Sequence, residues 1–271
     1  MKEVWKVEWE GSREEEVGSR KWEVGSRKVV GGSQQQEVKN QEPRTKGQEK
    51  SQESMYETEP EVLNIAGIQI KLLRIVNIDE LYSNLVSKGE DHEDVKDERI
   101  PYWADLWPSA IGLSEHLILS KNISEKTTVH EMGCGLGLPG IVAGKFGAQV
   151  LFTDYLDEAL DFAKQNWNLN NNIPATFQKL DWRNLDTDLK ADLLLASDVA
   201  YERRAFEFLP KAFKALTKPG GTIIVSEPNR LYAQEFFDSI SFLGFTVKKF
   251  NYQVKRNKLE HKINVFEIKS A

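Results

Sequence analysis

The sequence predicts an α/β fold, with a doubly wound, mostly parallel seven-strand sheet and an antiparallel edge strand. The first observation behind this prediction is that, from residue 127 onward, short apolar runs alternate with helically spaced segments of about 10–15 residues, the pattern of βαβ units. The second is that the last two apolar runs, FTVKKFNY and KINVFEI, follow each other with no helix between them. They are therefore predicted to form an antiparallel pair at one edge of the sheet.

The individual elements follow from this alternation. The other predicted strands are TTVHEM, QVLFT, ATFQKL, ADLLLAS and TIIVSE, and the predicted helices are LPGIVAGKF, DEALDFAKQNWNLN, RAFEFLPKAFKAL and AQEFFDSISFLG. The turn signal KPGG at residues 218–221 is expected to close the third of these helices. Upstream, the segment from Val62 to Ile70 predicts a strand or hairpin, IDELYSNLVSKG a helix, EDHEDVKDER a charged loop, and Pro108 the start of a further helix.

Composition divides the chain of 271 residues into three segments. Residues 1–54 repeat Gly-Ser pairs at a spacing of seven and continue as a polar stretch, so we predict a disordered, low-complexity tail. Residues 55–100 are predicted to form an N-terminal strand and helix extension, and residues 101–271 the main domain. Because Met55 follows the tail directly, a translation start at that residue is a further hypothesis.

The composition also argues against several classes of protein. No apolar run approaches the ~18 residues of a membrane span, and the tail lacks the apolar region of a secretory signal and the acid-poor composition of a transit peptide. Cys134 is the only cysteine, which excludes internal disulfides, and no two histidines lie at metal-ligand spacing. The net charge of −6 argues against nucleic acid as a partner. We therefore expect a cytoplasmic protein that binds no metal, membrane or nucleic acid, and leave its oligomeric state open.

A glycine loop follows the first strand of the regular alternation. The stretch EMGCGLG, residues 131–137, lies between a predicted strand and a predicted helix, where glycines let the backbone turn tightly and approach a ligand closely. The dinucleotide fingerprint G-x-G-x-x-G would require glycine at position 138, which is Leu138. The acidic Glu131 beside the loop would repel a pyrophosphate and tolerate a cationic ligand.

Acidic residues lie at the ends of four consecutive predicted strands. Glu131 belongs to the first of these strands, and Asp154, Asp181 and Asp198 end the next three. Because ligands bind outside the carboxyl ends of parallel strands, these residues predict a binding site at that edge. Asp154 follows Gly133 by 21 residues, a position from which a carboxylate can accept both hydroxyls of a ribose.

The E-x-G-x-G-x-G loop and Asp154 together resemble those of the class I, seven-strand methyltransferases that depend on S-adenosylmethionine. The resemblance covers the chain from about residue 100 to residue 268, and it implies S-adenosylmethionine as the cofactor. This cofactor carries a positive sulfonium and no pyrophosphate, so an acidic surround suits it better than it would suit NAD.

Two further motifs resemble the DxxY family of protein lysine methyltransferases. One is the tryptophan-rich stretch PYWADLWP at residues 101–108, and the other is DVAY at residues 198–201, directly after the fourth strand. The stretch EPNR at residues 227–230 is similar to one in those family members that act on the electron-transfer flavoprotein beta subunit. The resemblance implies a protein substrate that presents a lysine. It leaves open the identity of that protein, the degree of methylation, and histidine or an N-terminal amine as acceptor.

The resemblance also implies which residues form the site. The positions expected to contact the cofactor are Trp107, Glu131, Gly133, Cys134, Gly135, Gly137, Asp154, Asp181, Trp182 and Ser197. In that arrangement the adenine would pack against Trp182, Asp181 would accept its amino hydrogens, and Trp107 would close over the methionine part.

Asp198 and Tyr201 are the predicted catalytic residues. Methyl transfer is an in-line displacement, so positioning can supply most of the rate and no covalent enzyme intermediate is needed. A free lysine has a pKa of about 10.4, and a nearby sulfonium and removal from water both favour loss of its proton. A carboxylate has the opposite effect. We therefore expect Asp198 and Tyr201 to hold and aim the amine, with Asp198 as a route for its proton to water.

Three alternatives stay open. In a small-molecule amine N-methyltransferase, residues 56–100 and the 228–232 loop would form a lid over a closed pocket instead of an open groove. A binding module that has kept the fold is disfavoured by the intact glycine loop, Asp154 and Asp198. Modification of RNA or DNA is disfavoured by the net negative charge and by SDVAY standing where an N-P-P-Y type of motif is expected.

Overall fold

The computed structural model describes residues 55–89, 91–96, 101–185 and 188–270, so the tail that was predicted to be disordered, residues 1–54, lies outside the described residues. Within the described part of the chain, no helix is both long and apolar enough to cross a membrane. The elements are β1 (Thr58–Ile65), β2 (Ile68–Ile75), α1 (Ile78–Ser87), α2 (Glu93–Lys96), α3 (Pro108–Ser120), β3 (Thr128–Met132), α4 (Leu138–Lys145), β4 (Gln149–Asp154), α5 (Asp157–Asn168), β5 (Thr176–Lys179), β6 (Ala191–Ser197), α6 (Ala205–Leu216), β7 (Thr217–Glu227), α7 (Leu231–Ser239), β8 (Phe245–Arg256) and β9 (Leu259–Ser270). Short 3-10 turns lie at Pro101–Ala104 and Ile240–Leu243.

Seven strands form one sheet in the order β5-β4-β3-β6-β7-β9-β8. Strands β3 to β7 run parallel, and β9 runs antiparallel to both of its neighbours. The predicted fold class is thereby confirmed, and the strand that opposes the others is β9, one position in from the edge strand β8. The chain leaves β3 in one direction and returns to β6 on its other side, so the switch point of the sheet lies between β3 and β6.

The central strand β6 shows how the sheet separates two layers of helices. Leu193 and Leu195 pack in a hydrophobic cluster with residues of α3, α4 and α5, whereas Leu194 packs with residues of α6 and α7. Successive side chains of a strand point to opposite faces of the sheet. An unbroken apolar strand such as ADLLLAS is therefore what a sheet covered on both faces requires.

The N-terminal segment forms a two-stranded hairpin, β1–β2, which resolves the expected strand or hairpin in favour of the hairpin. Two asparagine side chains form hydrogen bonds with the backbone along the outer edge of β2. One, Asn166, lies in α5, and the other, Asn170, follows the end of that helix. Asn170 accepts a hydrogen bond from the backbone N–H of Lys71 (2.9 Å) and donates one to its carbonyl (2.6 Å), as a neighbouring strand would. Asn166 accepts another from the N–H of Leu73 (2.7 Å), so the hairpin edge is tied directly to the main domain.

Two expected features differ in the structure. The charged segment at residues 90–99 was predicted as a loop, but its described part contains α2, which His92 caps by accepting a hydrogen bond from the N–H of Asp94 (3.1 Å). Strand β7 begins at Thr217, before the KPGG turn signal, instead of at Thr222. Residues 218–221 form an irregularity in the β6–β7 pairing, because Ala191 pairs with Thr217 and Leu193 with Thr222, and Gly220 turns the backbone with a φ of +76°. The predicted end of the third helix before this turn signal is confirmed, since α6 ends at Leu216.

Candidate active site

The four predicted strand-end acids lie along one edge of the sheet. Their strands are neighbours in the order β5-β4-β3-β6, so Asp181, Asp154, Glu131 and Asp198 follow one another across the switch point. This placement follows from the parallel topology, since the carboxyl ends of these strands all face the same way. The ionisable groups of the candidate site are therefore brought together by the fold.

The glycine loop between β3 and α4 has the backbone that its composition requires. Gly133, Gly135 and Gly137 have φ values of +63°, +49° and +80°, a region that residues with a side chain rarely adopt. A Cβ at Gly135 would lie 3.1 Å from the carbonyl oxygen of Trp103, so this glycine also allows a close approach of two backbone segments. Cys134, between Gly133 and Gly135, is buried. Burial raises the pKa of its thiol well above the usual range, which keeps the thiol protonated.

Glu131 lies beneath the glycine loop with its side chain fully buried. Its Oε2 accepts a hydrogen bond from the N–H of Gly140 in the first turn of α4 (2.7 Å), while its Oε1 has no partner among the residues that the structure describes. Burial raises the pKa of this carboxyl well above its usual range. In this position Glu131 holds the loop against the helix, and its direct contact with a cofactor stays a prediction.

Asp154, the last residue of β4, is bound to the glycine loop. Its Oδ2 accepts a hydrogen bond from the N–H of Gly135 (2.9 Å), and its Oδ1 accepts one from the N–H of Leu156 (3.2 Å). Burial raises the pKa of Asp154, although both N–H groups favour its charged form. Each carboxylate oxygen can accept more than one hydrogen bond, so Asp154 keeps acceptor capacity for the predicted contact with a ribose.

Asp181 follows β5 and is engaged by a residue that the sequence did not single out. Arg183 donates two side-chain hydrogen bonds to it (2.8 Å each) and a backbone one (2.9 Å), and its guanidinium lies 4.9 Å from the ring centre of Tyr155. Burial alone would raise the pKa of Asp181, but the hydrogen bonds from Arg183 outweigh it and the pKa is lowered. Trp182 lies between the two, half-buried against the α6–α7 side of the core. Asp181 and Arg183 are partly exposed, so this strand end is accessible to a ligand.

Asp198 is the most constrained residue of the site. It has a φ of +57°, an uncommon conformation outside glycine, and its N–H donates to the carbonyl of Ser226 on β7 (2.9 Å). Only 8% of its side chain is exposed. Its Oδ2 accepts a hydrogen bond from the hydroxyl of Ser109 (3.1 Å), and its Oδ1 accepts one from the guanidinium of Arg230. The preceding Ser197 pairs with Ser226 across the β6–β7 ladder, which anchors this turn to the sheet.

Aromatic side chains from the segments that flank Ser109, Asp198 and Arg230 contact one another. The rings of Tyr102 and Tyr201 meet edge to face at 5.7 Å, and Tyr102 meets Trp107 in the same way at 6.1 Å. The indole N–H of Trp107 donates to the carbonyl of Tyr102 (2.7 Å), and the hydroxyl of Tyr232 donates to the carbonyl of Tyr201 (2.9 Å). Tyr102 and Tyr201 are 47% and 42% exposed, so they can contact a ligand from solvent. We call Tyr102, Trp107, Tyr201 and Tyr232 the aromatic rim.

Several members of the site were not predicted as site residues. Arg230 and Ser109 bind Asp198 directly, and Glu227 accepts a hydrogen bond from the backbone N–H of Arg230 (2.6 Å). Asn264 of β9 donates in turn to Glu227. The EPNR motif contained the signal for Arg230, because an arginine three residues after a strand-end acid lies at the same edge as Asp198. Nothing in the local sequence distinguished Asn264.

The residues of this edge fit S-adenosylmethionine on their chemistry. The glycine loop leaves room for close approach, and acids occupy the strand ends where a cationic ligand would lie. The first helix after the loop begins with Leu138 and Pro139, so it offers one N–H fewer for a pyrophosphate than most helices would. No feature of the described loop conflicts with the cofactor that the sequence predicted.

Comparison with known proteins agrees with this geometry. METTL23 of Homo sapiens, a histone-arginine methyltransferase, is 34% identical over 108 residues, which are 38% of this chain and 57% of the relative. METTL21A of Danio rerio, a protein N-lysine methyltransferase, is 31% identical over 169 residues, 59% of this chain and 76% of the relative. The chain spans 45% to 60% of the METTL23 relatives that it matches.

The fold and the family agree as well. The crystal structure of a candidate RNA methyltransferase from Pyrococcus horikoshii superposes with a TM-score of 0.50 at 15% identity, covering 72% of this chain and 97% of that one, which shows a shared fold. The sequence model of a family described as "Lysine methyltransferase" matches residues 95–242, from within α2 to the 3-10 turn after α7. With more than half of its residues matched, the chain belongs to this lysine methyltransferase family.

Proposed function

We propose that this protein transfers a methyl group from S-adenosylmethionine to the side-chain nitrogen of a lysine in a protein substrate. The observation that carries the proposal is the carboxylate of Asp198, which is mostly buried at the switch-point edge and lies beside the partly exposed aromatic rim. A carboxylate in this place can bind and orient a cationic side chain that arrives from solvent. Membership of the family and the lysine methyltransferase named above support the choice of acceptor.

We assign cofactor binding to the residues of the switch-point edge between β5 and β6. When bound, S-adenosylmethionine supplies an electrophilic methyl group on a positively charged sulfur. In the proposal, Asp154 accepts hydrogen bonds from the ribose, and Trp182 and Asp181 hold the base. Gly133 and Gly135 let the loop backbone approach the ligand. The domain that carries these functions is residues 101–271, with residues 55–100 as its extension.

The acceptor side chain is expected to enter through the aromatic rim. The exposed faces of Tyr102 and Tyr201 can cover the methylene stem of a lysine and exclude water, which leaves Asp198 to hold the nitrogen. Burial and the neighbouring Glu202 raise the pKa of Tyr201 to about 12, so its hydroxyl keeps its proton at physiological pH. Tyr201 therefore acts by packing and hydrogen bonding in this proposal and does not serve as a base.

Arginine is a second candidate acceptor, because the METTL23 relatives are named histone-arginine methyltransferases. A guanidinium would also be attracted by Asp198, and its planar shape suits packing between aromatic rings. We prefer lysine because METTL21A of Danio rerio, a protein N-lysine methyltransferase, matches a larger share of this chain than the METTL23 relatives do. The two acceptors give different products, so a single assay separates them.

The test uses methyl-labelled S-adenosylmethionine, the purified protein, and a lysate from its own source. Asp198→Asn is compared with Asp192→Asn, which makes the same substitution at the opposite end of β6. We expect protein-bound label that is recovered as methyllysine after acid hydrolysis. The rate should fall on the order of 100-fold in Asp198→Asn, the effect of a mispositioned acceptor, and little in Asp192→Asn. Calorimetry should show cofactor binding in both variants.

The other outcomes of this assay each contradict the proposal in a different way. Recovery of methylarginine would transfer the assignment to the second candidate. Label confined to the acid-soluble fraction would indicate a small-molecule amine N-methyltransferase, and label in nucleic acid would indicate a modifying enzyme of that class. Bound cofactor with no label anywhere would point to a binding module. A cytoplasmic location is also part of the proposal, and cell fractionation tests it.

A further inference from the structure

Asp198 does not present an isolated negative charge to an incoming amine. Its Oδ1 is bound by the guanidinium of Arg230, and its Oδ2 by the hydroxyl of Ser109. The exposed fractions of the Asp198 and Arg230 side chains are 8% and 23%, so solvent screens this ion pair only in part. The local charge at the acceptor position is therefore close to zero before any substrate binds.

Arg230 is held in place by the strand end from which it comes. Its backbone N–H donates to Glu227 Oε2 (2.6 Å), and Asn264 donates to the other oxygen of Glu227. Asn264 also donates to the side chain of Asn229, which lies in the turn between Glu227 and Arg230 and has a φ of +61°. This turn aims the side chain of Arg230 across from β7 to β6, so the pairing with Asp198 is built into the backbone.

A lysine acceptor needs two properties that oppose each other. It must be held in line, which a carboxylate does well, and it must lose its proton, which an uncompensated carboxylate hinders by stabilising the ammonium. Since the pKa of a free lysine is about 10.4, only about one amine in a thousand is neutral near pH 7.4. A cation placed on the far side of the carboxylate removes this conflict, because its repulsion offsets the stabilisation of the ammonium.

We propose that Arg230 is a positioning residue that neutralises Asp198, so that the carboxylate can aim the acceptor amine while the amine still loses its proton to water. The inference rests on the proposed function, because it assumes an amine as acceptor. The proton passes to bulk water and the nitrogen keeps its lone pair. Arg230 itself stays charged throughout, because Asp198 outweighs the effect of burial and the pKa of Arg230 is raised.

The pH dependence of such a site depends on every group that faces the ion pair. The charged and titratable groups nearby are Tyr102, Tyr201, Glu202, Arg204, Glu227 and Tyr232. The pKa of Tyr201 is raised to about 12, and burial raises that of Tyr232 as well, so neither of these two tyrosines loses its proton below about pH 10. Glu227 binds the backbone N–H of residue 230, which a side-chain substitution leaves intact. A Tyr102→Phe variant, which lacks the hydroxyl, tests whether Tyr102 contributes to the pH dependence of the rate.

The experiment measures the initial rate of methyllysine formation between about pH 6.5 and 9.5, because the nearby sulfonium and the removal from water are expected to lower the pKa of the bound amine from about 10.4 into this range. The lysate protein fraction serves as acceptor, and Arg230→Gln, Arg230→Lys and wild type are compared. Removing a unit charge about 5 Å from the amine should raise its pKa by on the order of one unit. We therefore expect Arg230→Gln to be about tenfold slower near pH 7.5, with the difference shrinking as the pH rises, and Arg230→Lys to recover most of the rate.

The controls separate this effect from a general loss of structure. Arg74→Gln removes a partly exposed arginine of the hairpin that pairs with Glu59 and Glu61, and its pH profile should match that of wild type. Cofactor affinity, measured by calorimetry, should be similar in all variants. A loss in Arg230→Gln by the same factor at every pH, or no loss at all, overturns the inference. Absence of methyllysine with the wild-type protein overturns the proposed function instead, so the two failures are distinguishable.

Discussion

Asn166 connects the N-terminal hairpin to the glycine loop through a single side chain. Its Oδ1 accepts a hydrogen bond from the N–H of Leu73 (2.7 Å), and its Nδ2 donates to the carbonyl of Leu136 (3.2 Å). The residue is fully buried, so Asn166→Ala leaves one N–H and one carbonyl without partners in places that water reaches poorly. At about 1–3 kcal/mol for each unsatisfied group, we expect the free energy of unfolding to fall by about 3 kcal/mol.

Asn170→Ala is the matched control. Asn170 makes two hydrogen bonds to Lys71 on the same hairpin, but these lie at the surface, where water can replace the lost partners. We expect a cost of about 1 kcal/mol. Urea unfolding followed by tryptophan fluorescence measures both variants, since Trp167 is almost completely buried.

The two variants should also differ in function. Leu136 belongs to the glycine loop, so Asn166→Ala is expected to weaken cofactor binding. Asn170→Ala removes the bonds to the hairpin and one to the carbonyl of Asn166 (2.7 Å), and none to the glycine loop. Asn166→Asp separates the two bonds, because one oxygen can still accept from Leu73 while the other faces the carbonyl of Leu136. The reasoning is refuted if Asn166→Ala unfolds no more easily than Asn170→Ala, or if the two bind the cofactor equally well.

Two further predictions concern buried groups next to the loop. The Cβ that Gly140→Ala adds would lie 2.4 Å from a ring carbon of Phe152 and 2.6 Å from Glu131 Oε2. We therefore expect the free energy of unfolding, measured with urea, to fall by about 1–3 kcal/mol. A variant as stable as wild type would contradict this. Burial lowers the pKa of His130 to about 4, against about 6.5 in the unfolded chain. The unfolded chain therefore binds the proton first, and stability should fall by up to about 3 kcal/mol as the pH falls between these values. His130→Gln should lose this part of the pH dependence.

The fold and the position of the site could be predicted because both follow from periodic patterns. A continuous apolar run such as ADLLLAS indicates a strand buried on both faces, and the residue after it must then lie at the carboxyl edge of the sheet. This reasoning placed Asp198 and Asp154 correctly on the sheet edge without any knowledge of their neighbours. The KPGG turn signal correctly marked the end of α6, but the start of β7 at Thr217 was missed, because this residue pairs with Ala191 of β6 ahead of the turn.

The partners of the site residues could not be predicted in the same way. Arg230 is 32 positions from Asp198, and Asn264 reaches Glu227 from a strand that runs antiparallel to the rest of the sheet. Such contacts depend on rotamers and on loop conformations, including the positive φ of Asn229. Periodicity specifies which face a side chain occupies, but it does not specify which donor it meets there.

This difference changes how the acidic edge should be understood. The sequence suggests four negative charges that attract a cation, yet each carboxyl meets a donor from the protein itself. Glu131 and Asp154 accept backbone N–H groups near the glycine loop, and Asp181 and Asp198 each bind an arginine side chain. Because the two arginines offset the charges of Asp181 and Asp198, and burial favours the neutral form of Glu131 by raising its pKa, the edge acts on a ligand mainly through oriented lone pairs, with a weaker long-range field than four bare carboxylates would produce. Such a site can hold a sulfonium and an amine side by side without stabilising the protonated amine, which is the state that cannot accept a methyl group.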